Sequence, residues 1–76
     1  MDIKDYFWTV SSKGQLNKIR AILEKQGKTQ TWLADQLGLE FLTVTRYVNN
    51  HRQPSLETLE RIARALKVPG KDLINF

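Results

Sequence analysis

Residues 30–49, QTWLADQLGLEFLTVTRYVN, have the pattern of two short helices joined at a single glycine, Gly38. The apolar residues that would pack the two helices together recur at helical spacing, at Leu33, Leu37, Val44 and Tyr47. Ala34 adds a small side chain to this stripe, which lets the two backbones approach. Gly38 stands where the chain needs a left-handed turn, because glycine adopts positive φ without a steric penalty. The stretch therefore predicts a helical pair packed across a tight turn.

Helical patterns continue before this pair and within it. Leucine and isoleucine residues at helical spacing, closed by Gly27, predict a first helix at about Gln15–Gln26. Thr29 is the expected N-cap of a second helix that runs to Leu37, since its hydroxyl can accept a hydrogen bond from the free amides of the first turn. A third helix is expected at about Glu40–Asn49.

The C-terminal part predicts a fourth helix and one more turn. The loop Asn50–Pro54 carries residues that interrupt helices, and Ser55 follows it as an N-cap. Val68-Pro69-Gly70 would end this helix, and Lys71–Ile74 could form a final helical turn. The buried face of the fourth helix is expected at Leu56, Leu59, Ile62, Ala63 and Leu66.

The first residues have a different composition. Five large apolar side chains lie close together, at Ile3, Tyr6, Phe7, Trp8 and Val10. With the closing sequence Ser11-Ser12-Lys13-Gly14 they suit a strand or extended segment followed by a turn. We expect the aromatic residues in a core or an interface rather than as a stacking platform for nucleobases. The chain thus divides into an N-terminal arm, residues 1–14, which would pack on a dimer partner or over the first and last helices, and one domain, residues 15–76.

The charge balance is basic. The 76 residues carry twelve Lys and Arg against eight Asp and Glu, a formal charge of +4 and a sequence pI near 9.7. The charges of the arm cancel, so the excess lies in the helical domain. This balance favours a polyanionic partner such as nucleic acid, although solubility alone also accounts for mild basicity. A domain this small buries roughly 60% of its unfolded surface, so dimerisation would add stability.

Composition also excludes several classes of protein. The absence of cysteine rules out disulfides, a cysteine-based zinc site and a thiol nucleophile, and His51 alone cannot form a metal site. No segment approaches the roughly 20 apolar residues of a membrane span, and no signal-peptide pattern is present. We therefore expect a cytoplasmic protein without cofactors. We also expect no enzymatic activity, because no spacing pairs the acidic residues for acid–base catalysis: Asp35, Glu40, Glu57, Glu60 and Asp72.

In combination these motifs resemble the Cro and phage-repressor type of helix-turn-helix proteins, the Xre family. The resemblance covers residues 16–74 and implies an all-α fold, a compact five-helix lambda-repressor-like bundle that contains the helix-turn-helix. It also implies a repressor-like transcriptional regulator that binds double-stranded DNA sequence-specifically, as a homodimer on a pseudo-palindromic operator. The matching positions are Thr29-Gln30, Leu33-Ala34, Leu37-Gly38, Thr43-Val44, Arg46, Asn49 and the segment Gln53–Leu59.

The resemblance assigns base contacts to the third helix. Members of the family insert this helix into the major groove, where outward residues near its N-terminus touch base edges. In this sequence those residues are Phe41, Leu42, Thr45 and Arg46. Arg46 can span the two acceptors of guanine, with a phosphate contact as an equally weighted alternative, and Thr45 can donate, accept or place its methyl against thymine.

Phe41 and Leu42 depart from the polar residues that are usual at these positions. Because Val44 and Tyr47 already form the buried stripe, we expect at least one of the pair to be exposed. The two side chains could pack on thymine methyl groups, cover the indole of Trp32 within the same monomer, or contact another protein.

The resemblance further implies a rim of phosphate contacts. Gln30 matches the residue that clamps the DNA backbone, assisted by the positive potential at a helix N-terminus. Asn49 and Asn50 also suit a purely structural role, because asparagine tolerates the left-handed cap of a helix. Val48, where many relatives carry Glu, would extend the core if it turns inward. The residues expected on the rim are Lys28, Gln30, Thr43, Asn49, Asn50, His51 and Arg52.

The biological setting stays open at this point. The family includes phage repressors, controllers of restriction–modification systems and antitoxins of toxin–antitoxin pairs. A second class of function is a protein-interaction module, in which Phe41, Leu42 and the aromatic arm form an apolar docking surface for a toxin or another regulator.

Overall fold

The computed structural model describes residues 16–75, which form four α-helices and a final 3₁₀ helix. The predicted all-α class is confirmed, with the fifth helix of the expected bundle present as a 3₁₀ turn. The N-terminal arm, for which an extended segment was predicted, lies outside the described residues. The elements are α1 (Ile19–Gln26), α2 (Gln30–Leu37), α3 (Phe41–Val48), α4 (Leu56–Leu66) and the 3₁₀ helix (Gly70–Leu73).

Hydroxyl caps begin two of the helices, as their sequences predict. Thr29 Oγ1 accepts a hydrogen bond from the amide of Trp32 at 3.0 Å, at the start of α2. Ser55 Oγ accepts one from the amide of Thr58 at 3.1 Å, at the start of α4. Each bond satisfies an amide that has no partner within its own helix.

The turn between α2 and α3 has the conformation that the glycine predicts. Gly38 has φ 66° and ends α2 in the left-handed region. Arg61 of α4 donates from Nη2 to the carbonyl oxygen of Leu37 at 2.5 Å, which satisfies one of the free carbonyls at the end of α2. The helix-turn-helix is therefore fastened to α4 at its turn.

The core lies where the helices meet. Val48 is 2% exposed and extends the core, which is the inward placement considered for it. Trp32 is half-buried and packs against the core, with the ammonium of Lys28 at 4.0 Å from its ring centroid. The fully enclosed apolar side chains come from all four helices and the 3₁₀ helix, and the largest are Ile19, Leu33, Val44, Ile62, Leu66 and Leu73.

The first helix begins later than predicted. The expected span Gln15–Gln26 is wrong at its start, because α1 begins at Ile19. Residues 16–18 instead lie antiparallel to the C-terminal segment, and the amide of Lys18 donates to the carbonyl of Leu73 at 2.7 Å. Lys18 is the N-cap, with φ −114° and ψ 29°, so the helical conformation begins only at Ile19.

Two other elements differ from their predicted bounds by one residue at each end. The third helix spans Phe41–Val48, with Glu40 and Asn49 as flanking caps rather than helical residues. The final turn was expected at Lys71–Ile74 but covers Gly70–Leu73. Ile74 is extended because it forms an antiparallel bridge with Asn17.

A buried asparagine joins the start of α1 to the end of α3. Asn17 is 4% exposed, and its Nδ2 donates to the carbonyl of Tyr47 at 3.0 Å and to Gln53 Oε1 at 2.8 Å. Its Oδ1 accepts from the amide of Ile19 at 3.2 Å, and its own amide donates to Asn50 Oδ1 at 3.0 Å. This cluster of Asn17, Asn50 and Gln53 fixes the exit of α3 against the base of α1.

Candidate nucleic-acid interface

The third helix has two distinct faces. Val44, Tyr47 and Val48 are buried beneath it, whereas Phe41, Leu42 and Arg46 are exposed on the outside. Because an α-helix has 3.6 residues per turn, the two sets lie on opposite sides of α3, and the exposed set forms an outward surface over the first turns of the helix. Three buried and three exposed positions therefore decide how α3 can be used.

Phe41 and Leu42 are both exposed, at 54% and 56% of their surface. This degree of exposure disfavours the alternative in which the pair covers the indole of Trp32, which instead packs on the core and beneath Lys28. The two side chains form an apolar patch at the N-terminal end of α3. Two adjacent large apolar side chains in water favour a contact with another molecule.

Thr45 is connected to the start of α2. Its hydroxyl lies 2.8 Å from Gln30 Oε1 and 3.0 Å from the carbonyl oxygen of Phe41, so it can donate to either acceptor. The bond to Gln30 links a residue expected to read bases with the one expected to hold phosphate. The two helices of the motif thus share one polar contact on their outer side.

Arg46 extends from the exposed face of α3. No hydrogen bond or ion pair from its guanidinium to residues 16–75 is present, so its five donors remain available for a ligand. Its backbone carbonyl accepts from the amides of His51 at 2.9 Å and Arg52 at 3.3 Å. The loop after α3 therefore folds back on the same helix and brings two more basic residues to its end.

The predicted phosphate rim divides into free and engaged side chains. His51 and Arg52 are exposed, and Lys28 is half-buried with its ammonium over the Trp32 ring. Thr43 is half-buried on α3. Gln30 is half-buried and holds Thr45.

The two asparagines of the rim are engaged within the protein. Asn50 has φ 59°, and its side chain accepts from Asn17 and Gln53 and donates to the carbonyl of Asn17 at 3.3 Å. Asn49 Oδ1 accepts a hydrogen bond from Arg20. The positive φ of Asn50 supports its structural role as a left-handed residue at the end of a helix.

Arg20 belongs to this surface although no sequence motif singled it out. It lies on the exposed side of α1, contacts Asn49, and lines a shallow depression of about 180 Å³ together with Lys28 and Gln30. Its place on the polar face of α1 follows from the sequence. Its contact with Asn49 at the end of α3 does not, because the two residues lie far apart in the chain. The depression joins a guanidinium, an ammonium and the first turn of α2.

Neither a metal centre nor a membrane span accompanies this surface. Among residues 16–75, no three His, Asp or Glu side chains come close enough together to hold a metal ion. No helix in the same range combines the length and the apolar character needed to cross a membrane.

Comparisons with known proteins agree with this geometry. A family model described as helix-turn-helix matches residues 19–73, which span all four α-helices and the 3₁₀ helix. The fold is similar to that of a solved structure from Bacteroides fragilis described as a "putative DNA-binding protein", with 40% sequence identity and a TM-score of 0.77. The match covers 79% of this chain and 97% of the other. None of the curated proteins compared with the chain matches it. On the family match and this similarity, the chain belongs to the Xre-type helix-turn-helix family.

Proposed function

We propose that this chain is a non-enzymatic transcriptional regulator that binds double-stranded DNA sequence-specifically, with α3 in the major groove. The observation that carries the proposal is the division of α3. One face is fixed in the core by Val44, Tyr47 and Val48, and the other presents Arg46 and the apolar pair to solvent. A rigid helix with a free outward face fits the major groove.

The charges around α3 support phosphate binding. Arg20, Lys28 and Arg52 lie on elements that border α3, and the free amides at the start of α2 add positive potential on the same side. Contacts of this kind position a protein on the duplex without reading its sequence. Gln30 would clamp one phosphate while its bond to Thr45 holds the two helices in register.

Sequence would be read mainly by Arg46. Its guanidinium, which has no partner among residues 16–75, can bond guanine O6 and N7 together, a contact worth about 1–3 kcal/mol of discrimination. Phe41 and Leu42, both exposed, would pack on thymine methyl groups next to it. The hydroxyl of Thr45 already has two acceptors within the protein, Gln30 Oε1 and the carbonyl oxygen of Phe41.

A single domain of this size would act as a repressor-like homodimer. Two copies related by a twofold axis place their α3 helices in successive major grooves, so the half-sites of the operator should lie roughly 34–36 Å apart. Occupation of such an operator would block access of polymerase, which requires no further domain.

Selection of binders from random duplexes tests the proposal most directly. We expect an enriched, pseudo-palindromic site with the spacing given above. Affinity for that site should fall steeply with salt, with a log–log slope of about −3.6 or steeper if four or more phosphates are neutralised. Weak binding to all duplexes with a flat salt dependence would refute the proposal.

Two arginine substitutions separate reading from anchoring. Arg46→Ala should relax the preference at one base pair, at a cost of about 1–3 kcal/mol on the preferred site. Arg52→Ala should weaken all duplexes evenly and reduce the salt slope by about 1. Arg64→Ala is the matched control, since Arg64 is exposed on α4 and pairs there with Glu60. An unchanged base preference in Arg46→Ala would show that Arg46 does not read bases.

The exposure of Phe41 and Leu42 also favours a second candidate, a protein-interaction module or antitoxin component in which this patch binds another regulator or a toxin. Substitution of both residues by Ser separates the two functions. Loss of affinity confined to sites with thymines next to the Arg46 contact supports base reading. Unchanged DNA affinity supports the protein contact.

A further inference from the structure

An apolar groove lies between α4 and the two paired terminal segments, away from the outward face of α3. Its volume is about 230 Å³. Leu56 on its edge was expected on the buried face of the fourth helix, but it is 86% exposed, more than any other large apolar side chain among residues 16–75. A cavity of about 150 Å³ already accommodates a benzene ring, so a groove of this size can take a large aromatic side chain. The lining residues are Leu16, Asn17, Gln53, Pro54, Leu56, Leu59 and Ile74.

We propose that the aromatic segment Tyr6–Trp8 of the same chain occupies this groove. The arm joins the described residues at Leu16, which is itself part of the groove wall. The hydrogen bond from the amide of Asn75 to the carbonyl of Leu16, at 2.8 Å, fixes that attachment point beside Ile74. The arm therefore starts at its binding site.

The connecting chain is long enough and can turn back. Residues 9–15 span up to roughly 23–25 Å when extended, which exceeds the reach needed to return to a groove at their own end. Ser11-Ser12-Lys13-Gly14 supplies the residue types of a turn. A tether of a few residues gives an effective concentration in the millimolar range, so the arm of the same chain competes well against that of another copy.

The chemistry of the two partners matches. The groove is lined mainly by aliphatic side chains, and the arm carries five large apolar residues while its charged residues cancel. An extended segment places alternate residues on one side, so Tyr6 and Trp8 would face the groove together. Asn17 and Gln53 at the inner edge can accept or donate to the phenol or the indole N–H.

Occupation of the groove would also reach α3. Asn17 lines the groove and at the same time donates to the carbonyl of Tyr47, near the end of α3. The docked arm would pack against the residue that holds the end of α3, although the hydrogen bond itself is already buried. This inference does not depend on DNA binding, because it rests on the groove and the arm alone.

Fluorescence of Trp8 tests the proposal in the full chain. Trp32→Phe leaves Trp8 as the single indole and keeps an aromatic ring beneath Lys28. We expect blue-shifted Trp8 emission and weak quenching by acrylamide. Leu56→Asp should shift the emission to the red and increase quenching; an acid at the first position of α4 suits the helix N-terminus, so the fold is retained. Leu42→Asp, at the other exposed leucine, is the control and should change neither signal.

Two outcomes would overturn the proposal. Solvent-like Trp8 emission that Leu56→Asp does not alter would show that the groove is not occupied by the arm. Burial of Trp8 that disappears on dilution would identify a second copy as the occupant. Isotope-filtered NMR on a mixture of labelled and unlabelled chains separates contacts within one chain from contacts between two chains. We expect contacts between the methyl groups of Leu56 and Leu59 and the aromatic rings of the arm to be intramolecular. Intermolecular contacts would refute the proposal.

Discussion

Replacement of Asn17 by Ala removes the polar group that joins the base of α1 to the end of α3. The substitution deletes an Nδ2 donor to the carbonyl of Tyr47 and an Oδ1 acceptor for the amide of Ile19. Alanine can replace neither bond. Gln53 also loses a partner, but it is exposed and can bond to water instead.

The amide of Ile19 is left without its partner, and a buried polar group in that state costs about 1–3 kcal/mol. The carbonyl of Tyr47 still accepts from the amide of Asn50 at 3.1 Å, so the bond lost there costs about 0.5–1.5 kcal/mol. Limited entry of water at the start of α1 lowers the sum, so we expect a loss of about 1.5–3.5 kcal/mol. For a domain of this length 1 kcal/mol lowers Tm by about 4–8 °C, which gives a decrease of roughly 6–28 °C.

Thermal and urea unfolding followed by circular dichroism would measure this loss. Gln53→Ala is the matched control, because it removes a partner of the same asparagine at an exposed position and should cost less than about 1 kcal/mol. The reasoning fails if Asn17→Ala stays within about 0.5 kcal/mol of the parent, or if Gln53→Ala is equally costly.

Three further substitutions, two of them paired with a control variant, test the fold by the same measurement. Gly38→Ala should lower the free energy of unfolding by about 1 kcal/mol, since φ is positive at this position. Gly70→Ala should be near neutral, because its φ is not positive and an added methyl group meets open space. Equal effects of the two substitutions would contradict the role of the turn. Ser55→Ala should cost about 1 kcal/mol through loss of the cap of α4, and no change would mean that the amide of Thr58 finds another partner. Val48→Ala should cost about 2 kcal/mol and Leu42→Ala less than about 0.5 kcal/mol, and a reversed order would place the wrong face of α3 in the core.

Local patterns predict the helices well because each depends on neighbouring residues. The caps at Thr29 and Ser55 and the left-handed Gly38 act within a few positions of themselves, and the structure confirms all three. The apolar stripe of α3 is likewise a matter of period, so the burial of Val44 and Tyr47 follows from spacing alone.

Features that depend on distant residues were not predictable in the same way. The start of α1 is set by pairing of residues 16–18 with the C-terminal segment, and that pairing has no local signal. The asparagines show the same limit at the candidate site. The sequence predicts both a phosphate contact and a cap role for Asn49 and Asn50, but it does not predict their partners: Asn50 bonds to Asn17, which lies far away in the chain, and Asn49 bonds to Arg20.

The pairing of the two terminal segments has a mechanical consequence. Leu16 and Asn75, at the two ends of the described residues, bond to each other on the outer side of the antiparallel bridge, and an inner bond joins Lys18 to Leu73. Tension applied between the two ends would load the outer bond first and the inner bond only after the outer one has broken. The two bonds would therefore break one after the other under a small force. Because Asn17 lies between them and also donates to the carbonyl of Tyr47, separation of the segments would next load the end of α3.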